Sequence, residues 1–156
     1  RPIEQVVGPG AGLDAAGRQR KIQVLGQVLE RHAQATEPLD ALAALGGFEI
    51  ATLAGAVLQA ALENRVIVVD GFITSSAVLV AARLQPALLE RCVFSQVSAE
   101  PGHRLMLQAM QADPLLQFGM RLGEGSAAAL VWPLLESACR ALNEIAPLEK
   151  VMARGA

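Results

Sequence analysis

The stretch Gly119-Met120-Arg121-Leu122-Gly123-Glu124-Gly125-Ser126 sets one carboxylate between two glycines, and a long apolar-periodic segment follows at once. Gly123 and Gly125 allow backbone angles that other residues resist, so a ligand can come close to Glu124. A helix starting there turns its free backbone N–H groups, and the carboxylate, toward whatever lies beyond that end. Arg121, three residues before Glu124, adds a fixed positive charge. An acid, a guanidinium and a helix N-terminus this close together can hold an anionic substrate and move a proton. The same residues also describe an ordinary helix start, with an acidic side chain at its favourable end.

A second group of residues suits an anion. Val7-Gly8-Pro9-Gly10-Ala11-Gly12-Leu13 is a glycine-rich loop that enters a helix at Asp14, a good N-cap residue. Its spacing is not the dinucleotide fingerprint, yet such a loop can offer backbone N–H groups to a phosphate. A plain connecting turn has the same composition. Lys21 lies two helical turns into that helix and can reach back to the loop, whereas Arg18 and Arg20 read as part of a solvated basic face. Asp70-Gly71 and the Ser95–Ser98 loop each follow a short apolar run. Ligands of parallel α/β sheets bind beyond the carboxyl ends of the strands, which brings Asp70 and Ser98 to one edge. Asp70 could equally cap the helix that comes next.

The elements that must position these residues follow from periodicity. Residues 14–33 form a helix with Ile22, Leu25 and Leu29 on one face, and 38–45 form a short helix stopped by Gly46-Gly47. Residues 48–63 keep the helical spacing from Ile50 to Leu62, with small residues on the opposite face. Val66-Ile67-Val68-Val69-Asp70 is β-branched and apolar on both faces, as a buried parallel strand should be. A helix over 72–84, capped by Thr74, Ser75 or Ser76, then leads to a second strand at 92–95. Strand, helix, strand at this spacing is a right-handed βαβ unit. Ser98 is read as the N-cap of a helix reaching about Gln111, with His103 on its surface. Asp113-Pro114 opens one more helical turn, ending at Gly119. The last helix runs over 125–145, with Leu130, Val131, Leu134, Leu135, Leu142 and Ile145 on its buried face and a kink at Pro133. Residues 1–147 read as one α/β unit and 148–156 as a tail.

The 156 residues are enough for a real core, and the wealth of Ala, Leu and Val, with no Tyr and one Trp, favours packed helices around a small sheet. A net charge of −2 offers no basic field for nucleic acid. No apolar run reaches the length of a membrane span, and Cys92, Cys139, His32 and His103 make neither a metal cluster nor a disulfide framework. A cytoplasmic setting without signal peptide is expected. The chain opens on Arg1-Pro2 and reads as a fragment or a processed piece.

Five motifs in order resemble one family. They are Val7-Gly-Pro-Gly-Ala-Gly-Leu-Asp14, Leu45-Gly-Gly-Phe-Glu-Ile50, Val69-Asp-Gly-Phe-Ile73, Ser98-Ala-Glu-Pro-Gly-His103 and Met120-Arg-Leu-Gly-Glu-Gly125. Together they resemble the nicotinate-nucleotide:dimethylbenzimidazole phosphoribosyltransferases of cobalamin biosynthesis. The resemblance implies an α/β fold, a parallel Rossmann-like sheet with flanking helices, incomplete here relative to the full-length family fold. It implies a homodimer that moves phosphoribose from nicotinate mononucleotide to 5,6-dimethylbenzimidazole without a cofactor or metal. It assigns the general base to Glu124 and a phosphate contact to Ser98. It also places Lys21, Arg121 and Gly123 along the nucleotide; with the residue readings above, the candidate substrate contacts are Gly8, Gly10, Gly12, Lys21, Asp70, Gly71, Ser98, Arg121, Leu122 and Gly123. Pro9, Ala11, Gln96-Val97 and Ser126-Ala127 depart from the family pattern, and the family's N-terminal portion has no counterpart in these residues. The competing expectation is a non-catalytic nucleotide-phosphate-binding or regulatory domain, which would keep the loop, Lys21 and Ser98 without needing Glu124. A third is a piece whose helix 48–63 serves chiefly for oligomer contact.

Overall fold

The computed structural model describes residues 2–10, 12–121 and 123–146. Its elements in order are α1 (Ala15–Arg31), α2 (Pro38–Leu45), α3 (Phe48–Leu62), β1 (Ile67–Val69), α4 (Phe72–Leu84), β2 (Cys92–Phe94), α5 (Pro101–Ala109) and α6 (Ser126–Glu144). Short 3-10 turns occupy Ile3–Gln5 and Pro86–Arg91. The expected tail at 148–156 lies outside the described residues. Among the described residues no helix is long and apolar enough to cross a membrane.

β1 and β2 pair in parallel, with Ile67 opposite Cys92 and Val69 opposite Phe94, and α4 is the crossover between them. The β-branched run therefore becomes a buried strand, as its two-sided apolarity requires. Small residues make the packing close. Ala77, Val78 and Ala81 of α4 are fully buried, so α3, α5 and the sheet can all approach that helix. One core joins Val57 of α3, Ile67 and Val69 of β1, Val78, Ala81 and Ala82 of α4, Phe94 of β2, and Leu107 and Met110. Leu88, on the turn that closes this core, is 2% exposed, and burial of such a side chain contributes about 1.5–3 kcal/mol. Enlarging Ala81 to Leu would overpack the same place at a cost of about 1–3 kcal/mol.

Helix ends follow local rules. Asp14 caps α1, its Oδ1 accepting from the Gly17 N–H at 2.7 Å. α3 closes with Asn64 in the left-handed region (φ 57°), Asn64 N–H donating to Ala61 and Arg65 N–H to Ala60. α5 ends the same way, with Gln111 at φ 53° and Ala112 N–H donating to Leu107. Both are Schellman closures carried by a residue other than glycine.

Several expectations are overturned. Gly71, not Thr74, Ser75 or Ser76, is the N-cap of α4; the hydroxyls fall inside its first turns. Glu100, not Ser98, is the N-cap of α5, because Pro101 supplies the fixed φ of the first helical position. Residues 113–119 form no helical turn. They run beside the extension of β2, with a parallel bridge between Gln96 and Leu116 and hydrogen bonds from Leu115 N–H to Phe94 and Val97 N–H to Leu116. His103 is 1% exposed and not a surface residue. The apolar face of α6 is largely bare: Ala127 and Val131 are buried, but Leu130, Leu134, Leu142 (87%) and Ile145 are exposed, as is Trp132 (65%). Phe48, at the start of α3, is 94% exposed.

Candidate functional site

The site is assembled at the carboxyl ends of β1 and β2. Ser95 closes the sheet there, its Oγ within 2.8 Å of the Val69 carbonyl and 2.6 Å of the Asp70 carbonyl. Asp70 points on toward α6. Its Oδ1 accepts from Ala127 N–H at 2.8 Å and Ala128 N–H at 3.0 Å. The carboxylate thus meets the free donors of a helix start 57 positions away, and it does not cap the adjacent helix α4.

The turn held in this way carries Glu124. Ser126 N–H and Ser126 Oγ both donate to the Gly123 carbonyl, at 3.2 and 2.7 Å. Glu124 (φ 62°) and Gly125 (φ 85°) both take the left-handed region, the pattern of a type I′ turn. For glycine this is free of strain, but for Glu124 it costs about 1–2 kcal/mol. Glu124, Gly123 and Arg121 are all exposed. Leu122 lies outside the described residues.

The Ser98 loop is tied to this turn by Ala99 N–H donating to the Met120 carbonyl at 3.3 Å. On its other side stands the glycine-rich loop. A Cβ on Gly8 would collide with the Glu100 carboxylate and the Pro101 ring, so this loop packs on the start of α5. Lys21 Nζ reaches the Gly8 carbonyl at 3.5 Å and lies beside Gly10, whose φ is +57°. Arg18 braces the loop from below, donating from Nε to Val7 O at 3.0 Å and from Nη2 to Glu4 O at 2.7 Å. Gly12 sits farther along, with its N–H turned back to Pro9 O at 3.3 Å. Gly71, buried, packs beside Gln96. Two loops thus meet around the start of α5 and the stretch before α6: the glycine-rich loop at Gly8, against Glu100 and Pro101, and the Ser98 loop at Met120, with Asp70 bound to the start of α6.

Two contributors were not legible as such. Arg18 is a clamp on the loop and not merely a solvated cation. His103, on α5, lies under Ser98. Its Nδ1 is 2.9 Å from the Ser98 backbone N and 3.0 Å from Ser98 Oγ, and its Nε2 is 2.9 Å from Ser75 Oγ. Its ring tilts at 60° to that of Phe72, with centroids 6.1 Å apart. Burial pushes its pKa down to about 4, so the imidazole is neutral at pH 7. Its position after Pro101-Gly102 was the only sequence cue. Burial also raises the Cys92 thiol to about 11, which leaves that residue a packing group.

A family model described as phosphoribosyltransferase matches residues 1–152. The chain belongs to the nicotinate-nucleotide–dimethylbenzimidazole phosphoribosyltransferase family. The relative of that name from Variovorax paradoxus is 64% identical over 147 residues, which are 94% of this chain and 42% of the relative. The one from Cupriavidus taiwanensis is 55% identical over 145 residues, again 42% of its length. Among solved structures, the family enzyme CobT of Thermus thermophilus superposes with a TM-score of 0.85 at 37% identity, covering 91% of this chain and 43% of the other. A second structure from that organism, a nicotinate-nucleotide–dimethylbenzimidazole phosphoribosyltransferase, gives a TM-score of 0.86 at 35% identity, covering 96% of this chain and 44% of the other. The chain thus spans a little over two fifths of the length of the phosphoribosyltransferases it matches. The fold described above is therefore part of a longer family fold.

Proposed function

We propose that this chain supplies the phosphate-holding and proton-accepting side of an enzyme that transfers phosphoribose from nicotinate mononucleotide to 5,6-dimethylbenzimidazole. The products are α-ribazole phosphate and nicotinate, in the assembly of the cobalamin lower ligand. The observation that carries the reading is the exposed, left-handed Glu124 turn, joined through Ala99 and Met120 to the Ser98 loop.

In this reading Lys21, the Gly8–Gly10 backbone and Ser98 hold the 5′-phosphate, which fixes the ribose C1′ in space. Arg121 and Gly123 lie along the nucleotide, Gly12 and Gly71 shape the loops at its two ends, and Asp70 holds the turn in place. A benzimidazole nitrogen attacks C1′ as the bond from C1′ to the nicotinate nitrogen breaks. Nicotinate leaves with that electron pair. The second benzimidazole nitrogen gives its proton to Glu124, which also faces the positive charge that develops at C1′. No step calls for a metal or cofactor. The enzyme is proposed to work as a homodimer in the cytoplasm.

The test is Glu124→Gln in the complete gene product that carries these residues. The amide keeps the shape but takes no proton, so turnover should fall about 10²–10⁴-fold. Affinity for nicotinate mononucleotide should stay within a few fold. Lys21→Ala should do the reverse, raising KM more than it lowers kcat. Near-normal turnover of Glu124→Gln would return Glu124 to the role of a helix-start residue and favour a nucleotide-phosphate-binding domain. The 156 residues alone are expected to be inactive, since they span 42% of the relatives' length; robust turnover from them would contradict this.

A further inference from the structure

We propose that His103 is a positioning residue for the anion subsite: it holds Ser98 by its backbone N–H and so leaves the Ser98 hydroxyl to donate to a phosphate oxygen. The inference rests on the phosphate reading above and assigns the group that makes Ser98 competent.

The hydrogen bonds leave one consistent arrangement. A backbone N–H can only donate, and Ser98 N–H lies 2.9 Å from His103 Nδ1. Nδ1 therefore carries a lone pair and no proton. The ring hydrogen sits on Nε2, which donates to Ser75 Oγ at 2.9 Å. A ring nitrogen has one in-plane lone pair, and the backbone N–H already uses it. Ser98 Oγ, 3.0 Å from the same Nδ1, can only share it. On its other side Ser98 Oγ accepts from Glu100 N–H at 3.4 Å. The hydroxyl is thus fixed as to its oxygen and poorly satisfied as to its hydrogen. An incoming phosphate oxygen is the stronger acceptor, and the hydroxyl can turn to it without moving the backbone. Ser75 on α4 and Phe72 hold the imidazole from behind, so the subsite is referenced to the core and not to a loop.

The experiment is a double-mutant cycle in the complete gene product, read by equilibrium binding of nicotinate mononucleotide and, separately, of dimethylbenzimidazole. Ser98→Ala is expected to weaken the mononucleotide about tenfold. His103→Leu should weaken it similarly, and the double variant by no more than about twofold beyond either single one. His103→Asn places an acceptor near the Nδ1 position and should restore affinity to within about threefold. Dimethylbenzimidazole binding should not move. Wild-type affinity in His103→Leu, or losses that add fully in the double variant, would overturn the role of His103 while leaving the phosphate reading in place. Wild-type affinity in Ser98→Ala would remove Ser98 from the phosphate site, and the inference with it. A measurement on the unaltered protein covers the case in which His103→Leu does not fold. Nitrogen-15 spectra of the imidazole should show a bare Nδ1 and a protonated Nε2, with the ring signals shifting when nicotinate mononucleotide is added. A proton on Nδ1, or a ring that ignores the nucleotide, refutes the proposal.

Discussion

Asp70→Ala removes an acceptor that joins the end of β1 to the start of α6. Oδ1 takes two N–H groups, at 2.8 and 3.0 Å, and the residue is 8% exposed, so water is poorly placed to substitute. Hydrogen bonds to a charged group contribute about 1.5–3 kcal/mol. The two here share one oxygen, and Ala128 is only half-buried, so the second is worth less than the first. The expected loss is about 2–4 kcal/mol. Asp70→Asn keeps a carbonyl oxygen in place and gives up only the interaction of charge with helix dipole, about 1 kcal/mol. Urea unfolding reads both values as shifts of midpoint at constant slope. Hydrogen exchange at Ala127 and Ala128 reports whether the loss is local to the α6 start. A loss below about 0.5 kcal/mol in Asp70→Ala, or the same loss in both variants, would refute the reasoning.

Glu124→Gly should raise the thermal midpoint, because glycine removes about 1 kcal/mol of left-handed strain, while abolishing turnover; a lower midpoint would argue against strain at φ 62°. His103 has its pKa held near 4 against about 6.5 when unfolded, so the unfolded state binds more protons between these values. Stability from this group is therefore full above pH 6.5 and is lost as pH falls toward 4. Urea midpoints over that range should slope less in His103→Leu than in the unaltered protein. The bare apolar face of α6 predicts self-association of the 156-residue chain; sedimentation velocity should show it, and Leu130→Ser with Trp132→Ser should reduce it.

Where a residue's neighbours are near in sequence, the sequence was a good guide. The limits of α1 and α2, the closure of α3 at Asn64 and the parallel pairing of 67–69 with 92–94 follow from caps, periodicity and the length of the crossover. Where the partner is distant, it was not. Residues 113–119 looked like a helical turn because Asp113-Pro114 starts one locally; parallel pairing with Gln96 leaves no local trace. Asp70 was legible as a cap, but nothing near it named α6 as the helix it serves. The spacing of Leu130, Leu134 and Leu142 marks a face fit for burial, yet periodicity cannot state whether the partner lies in the same chain. A single histidine after Pro-Gly has no period at all, so nothing in the sequence marks His103 as buried.

The bond from Asp70 to α6 also sets an order of events. The βαβ unit from Ile67 to Phe94 closes a loop of about 25 residues onto an apolar core, whereas docking the Glu124 turn closes 57. Loop-closure entropy grows only with the logarithm of length, so the longer loop costs about 0.7 kcal/mol more. The difference in reward is larger: the first closure buries the core side chains, and the second gains two hydrogen bonds and the burial of Ala127 and Val131. Of these two closures, docking of the turn that carries the proposed base is therefore expected to form later in folding and to open more readily. A protease should therefore meet the exposed stretch from Gly123 to Gly125 before the sheet gives way.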